Sequence, residues 1–246
     1  MLAREVLGML TILGALALPA VAQEAAPANV DHLAPPDVLA LKLGQPVAAQ
    51  PGPFREHACG TNGGPPAQAV AGFEGYAACP AEPETGLHEV TFRYDDELHY
   101  YALATNNQPI AQRFQGTRFG SFPVVVSVLI DDAGTVRGYR VATDDRVPLR
   151  ERRGAYTMGI LAKSRIPAEW TCEDLRLEDG ETPVGRNAMK QDCTGIAGDG
   201  HKVLLKTRYF HRKGQTLIDR HSGKVRQGLF ESTARLEVFD AEWKLP

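Results

Sequence analysis

Seven histidines, four cysteines and a short arginine cluster carry most of the reactive chemistry in this 246-residue chain. His201, His211 and His221 recur at intervals of ten, too far apart for a local pair of metal ligands. His88 and His99 flank Asp95, Asp96 and Glu97. A hairpin through that stretch would set the two imidazoles across from each other, as a divalent-metal site or as ordinary strand-surface histidines. Asp219, His221 and Ser222 are sequence neighbours, but a catalytic triad is assembled by tertiary geometry rather than by adjacency. None of Ser121, Ser127, Ser164, Ser222 and Ser232 lies in a Gly-x-Ser-x-Gly or Ser-x-x-Lys setting. Asp95-Asp96-Glu97 offers carboxyl groups of the kind glycoside hydrolysis uses in pairs, although turn formation explains such a cluster better. The sequence has no phosphate-cradling loop and no dinucleotide fingerprint. The expectation is no catalytic residue set, no metal site and no cofactor.

Cys59, Cys79, Cys172 and Cys193 are even in number and contain no Cys-x-x-Cys, and no histidine stands beside them at ligand spacing. Disulfides are expected instead. Of the three possible pairings, the nearest-neighbour one (Cys59–Cys79 with Cys172–Cys193) closes two loops of about 20 residues. Each closure stabilises by about 3 kcal/mol in the chain-entropy model. Oxidised cysteines require an oxidising compartment, and the N-terminus agrees. Arg4 precedes the 13-residue apolar run Val6–Leu18, Pro19 breaks it, and Ala20-Val21-Ala22 supplies the small residues of a signal-peptidase site. That predicts a signal peptide over 1–22 and a mature chain from Gln23. The apolar run falls short of the roughly 20 residues a membrane span needs, so no integral span is expected after its removal. Residue 23 is not cysteine, which argues against lipid attachment. The predicted location is periplasmic or extracellular.

The net charge of −3 conceals an asymmetry. Residues 23–110 hold 3 Lys/Arg against 11 Asp/Glu, and residues 111–246 hold 23 against 18. The halves could attract each other, be solvated independently, or offer the basic half to an anionic partner. Export and the acidic balance argue against nucleic acid.

These residues need elements to position them. Residues 23–36, rich in Ala and Pro, read as a flexible leader. Asp37–Leu43 reads as a short helix stopped at Gly44. The Gly- and Pro-rich stretch 60–75 is irregular, ordered by a Cys59–Cys79 staple. Residues 88–104 alternate as a hairpin, with Val90, Phe92 and Tyr94 on one face and Leu98, Tyr100, Tyr101 and Leu103 returning. Val124–Ile130, apolar on both faces, predicts a covered interior strand. A turn at Asp131-Asp132-Ala133-Gly134 leads to a second strand, and a helix from about Pro148 carries Leu149, Tyr156 and Ile160. Arg150, Arg152 and Arg153 fall in its first turn, where the helix dipole disfavours cations. They would serve an anionic ligand or an acidic surface, or form a solvated face whose stems cover apolar surface. Further strands are predicted around Leu175–Leu177, Lys202–Tyr209 and Ala234–Val238. The fold class is α+β: antiparallel sheets with few helices in two disulfide-stapled modules, 37–120 and 121–246.

The order strand, Asp-Asp-Ala-Gly turn, strand, helix over residues 124–160 resembles the C-terminal domain of TonB-like periplasmic proteins. The paired cysteines, one pair per half at separations of 20 and 21 residues, resemble in architecture the tandem modules of BamE and β-lactamase-inhibitor type, with Val38–Gly44 as the short helical unit. That resemblance implies a protein that works by binding other proteins. The signal peptide, the disulfide staples and the lack of a catalytic constellation give the expected function as a non-enzymatic, exported binding or envelope-assembly protein, with another envelope protein as partner. Its contact surface is expected at Arg150, Arg152 and Arg153 with Tyr100 and Tyr101, since arginine and tyrosine are enriched at binding hot spots. The rival is a secreted hydrolase, whose pocket would gather two or more of His201, His211, His221 and Asp219. Oligomeric state is not legible in the sequence.

Overall fold

The both-face apolar stretch becomes an interior strand, and the rest of the sheet is built outward from it. The computed structural model describes residues 38–51, 54–93, 101, 104–107, 117–120, 122–147, 153–212, 216–218, 225–227 and 230–244, all within the compact unit Ala34–Pro246. Its strands are β1 (Arg55–Cys59), β2 (His88–Arg93), β3 (Arg118–Phe119), β4 (Phe122–Ile130), β5 (Val136–Thr143), β6 (Thr171–Asp174), β7 (Met189–Ile196), β8 (Lys202–Phe210), β9 (Thr216–Ile218), β10 (Val225–Gln227) and β11 (Glu231–Phe239). The helix α1 (Met158–Arg165) and several 3-10 turns accompany them among the described residues. The main sheet runs β1-β2-β4-β5-β11-β8-β7-β6, with β3 attached to β4; β9 and β10 form a separate pair. Every pairing is antiparallel. The class is thus α+β and sheet-dominated. Strands from both halves of the chain share the one sheet, because β2 pairs directly with β4 through Val90↔Val128.

Alternation divides the strands between two buried faces. On the first lie Val90, Phe92, Val124, Val126, Val128, Ile130, Tyr139, Val141, Val203, Leu205, Leu236 and Val238, packed with Met158 and Ala162 of α1. The helix sits low on the sheet because its contact residues are small: a Cβ at Gly159 would stand 2.6 Å from Thr207 Oγ1. It ends at Ile166, which is extended (φ −111°, ψ 98°), as expected of a residue preceding Pro167.

Three expectations change here. The helix begins at Met158, after a 3-10 turn at Ala155–Thr157, so Arg153 precedes it and occupies none of its turns. Ile160 is 65% exposed, because Met158, Gly159 and Ala162 form the buried face instead. The return arm of the hairpin also gives way: Tyr101 and Ala104 are helical, with the Thr105 N–H donating to Tyr101 O at 2.9 Å. Strand β2 finds its neighbours in β1 and β4. The supposed turn and Tyr100 lie outside the described residues.

The second face is covered by residues 60–63 and 82–87. Leu87, Leu129 and Phe239 form a small apolar cluster there, with Leu204 and Trp243 against it. The turn between β4 and β5 is fixed by Asp131, whose Oδ1 accepts from the Ala133 and Thr135 N–H groups at 3.0 and 2.9 Å. Gly134 takes the left-handed conformation (φ 78°) that this turn requires.

Candidate functional site

Beside that apolar cluster the second face holds a buried charge network. Arg140 of β5 is fully buried. Its Nη1 and Nη2 donate to Glu82 Oε1 and Oε2 at 2.7 and 2.9 Å, and its Nε donates to Glu237 Oε1 at 2.7 Å. Glu89 Oε1 forms an ion pair with Nη1 at 2.8 Å and accepts from Ser127 Oγ at 2.7 Å. The N–H groups of Asn62 and Gly63 reach Glu89 Oε2 at 2.6 and 3.3 Å. Arg235 adds a second cation, 2.8 Å from Glu237 Oε1. Burial disfavours the Arg140 charge, but the three carboxylates outweigh it and hold its pKa above the usual arginine value. Burial likewise pushes up Glu82 and Glu237, and their guanidinium partners outweigh it, so both stay below the usual carboxylate range. Each carboxylate of the network is thus held against a guanidinium. A cavity of about 260 Å³ lies beside it, lined with mixed charge by Glu84, Lys206, Arg235 and Glu237.

The sulfur chemistry is as expected. Cys59–Cys79 and Cys172–Cys193 are both disulfides, and no cysteine is free. Two such bridges point to an oxidising, exported location. Among the described residues no helix is long and apolar enough to cross a membrane.

The histidines are dispersed. His88 contacts Asp132 Oδ1 through Nε2 at 2.9 Å and Cys79 O through Nδ1 at 2.6 Å; His99 lies outside the described residues. His201 Nδ1 is 2.9 Å from Asp199 Oδ2, in a groove of about 380 Å³ that is also lined by Leu41, Tyr139, Arg165 and Val238. His211 is remote from that groove and packs near Phe230, while His221 and Asp219 lie outside the described residues. Of the four residues from which a hydrolase pocket would gather two or more, the groove holds His201 among the described residues. No group of three or more His, Cys, Asp or Glu arranged to hold a metal ion occurs among the described residues.

Of the expected contact surface, Arg153 is exposed and its carbonyl accepts from Ser232 Oγ at 2.9 Å. Tyr101 is 60% exposed. Arg150, Arg152 and Tyr100 lie outside the described residues, so the structure does not bring this set together.

The two ends of the sheet supply a surface that sequence reasoning missed. At one end, β1 is capped by its own chain. Cys59 N–H donates to Gln68 O and Ala67 N–H to Cys59 O, both at 2.8 Å, and Val70 N–H donates to His57 O at 3.0 Å. At the other end, β6 pairs with β7 alone, in the register Thr171↔Thr194, Cys172↔Cys193, Glu173↔Asp192 and Asp174↔Gln191. Pairing continues one residue further, where the Leu175 N–H donates to Lys190 O at 2.7 Å. Antiparallel bonding alternates. If Leu175 points its backbone groups toward β7, so do Glu173 and Thr171, and those of Cys172, Asp174 and Arg176 point outward. No described residue bonds to the outward groups of Cys172 and Asp174. All four residues of β6 are exposed, and the Cys172–Cys193 bridge clamps the strand to β7. Lys163 Nζ of α1 lies 3.1 Å from Cys172 Sγ and 2.9 Å from Gln191 Oε1, which braces the same corner. The result is a rigid strand edge with free donors and acceptors, the geometry needed to accept an added strand.

Comparison with family models, with curated proteins and with solved structures finds no match for the chain.

Proposed function

We propose that this is an exported, non-enzymatic binding or assembly protein, periplasmic or secreted, that takes hold of another polypeptide by strand addition at β6. The observation that carries this reading is the contrast between the ends of the sheet. One is closed by residues 67–70, and the other is open, exposed and stapled. Exposed edges are a liability that proteins usually blunt, and a rigid one lowers the ordering cost of an incoming strand. The disulfides and the leader-like N-terminus support an oxidising compartment outside the cytoplasm. The buried Arg140 network supports a structural use of this chain's charges.

Recovery of interacting proteins from an envelope extract tests the reading, using the mature chain and its Asp174→Pro variant. Proline removes one outward N–H donor and is tolerated where that donor faces solvent on an edge strand. Recovery by the variant should drop about tenfold while its unfolding midpoint stays within about 0.5 kcal/mol of the parent, as for a neutral surface change. Equal recovery would overturn the assignment to β6. A parallel Arg150→Ala, Arg152→Ala, Arg153→Ala variant reports whether the arginine surface contributes.

A further inference from the structure

The edge at β6 also carries information about its occupant. We propose that it pairs antiparallel with the same edge of a second copy of this chain, about a two-fold axis at Leu175. This rests on the reading of β6 as a contact edge and goes further by naming the partner.

A two-fold antiparallel pairing must place its axis perpendicular to the sheet and through one residue, so that partners sum to twice that residue's number. The two residues of each facing pair then share a face. Centring on Glu173, Asp174 or Arg176 sets like charges against each other on the axis, which is destabilising. Centring on Leu177 requires Glu178 and Gly180 as strand residues. However, Glu178 Oε1 is held by Lys190 Nζ at 2.5 Å, its N–H is taken by Glu181 Oε2 at 2.8 Å, and Gly180 is left-handed at φ 90°. Centring on Leu175 avoids these conflicts. Leu175 meets its symmetry mate across the axis, and Asp174 faces Arg176 of the other copy on both sides. Asp174 and Arg176 are also the residues whose backbone groups point outward, so each such pair forms hydrogen bonds as well as an ion pair. Among the described residues Asp174 accepts from a neutral donor, Gln191 Nε2 at 2.7 Å, and Arg176 is exposed. The five residues Glu173–Leu177 make a contact smaller than the roughly 1,200 Å² of a standard interface, so the dimer is a weak one.

Sedimentation velocity on the mature, oxidised chain from about 1 µM to about 1 mM measures the association, expected at a Kd of about 10–100 µM. Asp174→Arg and Arg176→Asp each convert both ion pairs to repulsions and should weaken it at least about tenfold. The double variant with both changes restores opposite charges and should return within about threefold of the parent. A parent that stays monomeric throughout overturns the proposal. So does a double variant no tighter than the singles, or singles as tight as the parent. The edge reading is scored separately: with a monomeric parent, loss of another protein's recovery on Asp174→Pro leaves β6 a contact edge and removes only self-pairing. Unchanged recovery removes both.

Discussion

Arg140 shows how one side chain fixes the behaviour of a whole face. Removing it by Arg140→Leu leaves Glu82, Glu89 and Glu237 buried around an apolar stem, with Arg235 as the remaining cation. Breaking a buried ionic network in this way costs about 3–5 kcal/mol, measurable as a lower urea midpoint at pH 7. The pH dependence follows from the direction of the shifts. Glu82 and Glu237 lie below their ordinary value of 4.5 in the folded protein. Their contribution is therefore complete above that pH and is lost as pH falls through their folded values. In Arg140→Leu burial pushes Glu82 up without its guanidinium partner, while Arg235 still offsets it at Glu237, so that variant gains relative stability on acidification. Its deficit against the parent should shrink between pH 7 and pH 4.5. A deficit constant across that range would contradict the network as described. None of this is legible in the sequence. Arg140 alternates with Tyr139 and Val141 like any solvent-facing strand arginine, and only the cover supplied by distant residues 60–63 and 82–87 turns its face inward.

At the scale of elements, the two disulfides do different work despite nearly equal loops of 20 and 21 residues. Loop closure alone assigns each about 3 kcal/mol. Cys59–Cys79, however, also holds the segment that carries Glu82 onto Arg140. Cys172–Cys193 joins two neighbouring strands at the margin, where β6 is exposed on every residue. Replacing Cys59 and Cys79 by Ser should thus lower the urea midpoint more than replacing Cys172 and Cys193. The second change should lower the midpoint by its loop-closure share alone and act chiefly on the edge, weakening self-association. The opposite order would mean that the second face does not depend on its cover. Here sequence reading went further. The nearest-neighbour bridges, the interior β4, the alternation of β8 and β11, and the turn at Asp131–Gly134 all follow from residue type and spacing. The helix start did not, because Gly154 and the 3-10 turn after it leave no side-chain cap to mark it. The hairpin failed because period-two alternation in β2 says that a strand has two faces and is silent on which strands lie beside it.

Across the whole molecule, the decisive fact is strand order. The sheet runs to β5, jumps to the last strand, β11, and then counts backward through β8 and β7 to β6. That places a mid-chain segment at the open margin while β1 is closed by its own following residues. No local pattern in Thr171–Asp174 announces such a position, since it is set by pairings made tens of residues later in the chain. The same order joins the two stapled halves in one sheet, so stability and contact surface belong to the whole rather than to either half.

Residue-resolved amide hydrogen exchange on the mature, oxidised protein examines that margin most directly. In dilute solution the amides of Cys172, Asp174 and Arg176 should exchange rapidly, while those of Glu173 and Leu175, bonded to β7, are protected. Raising the protein to about 1 mM, well above the Kd of a weak contact, should slow Asp174 and Arg176 and leave Glu173 and Leu175 unchanged. Slow exchange at Asp174 and Arg176 already in dilute solution would show that the margin is closed and would contradict the account.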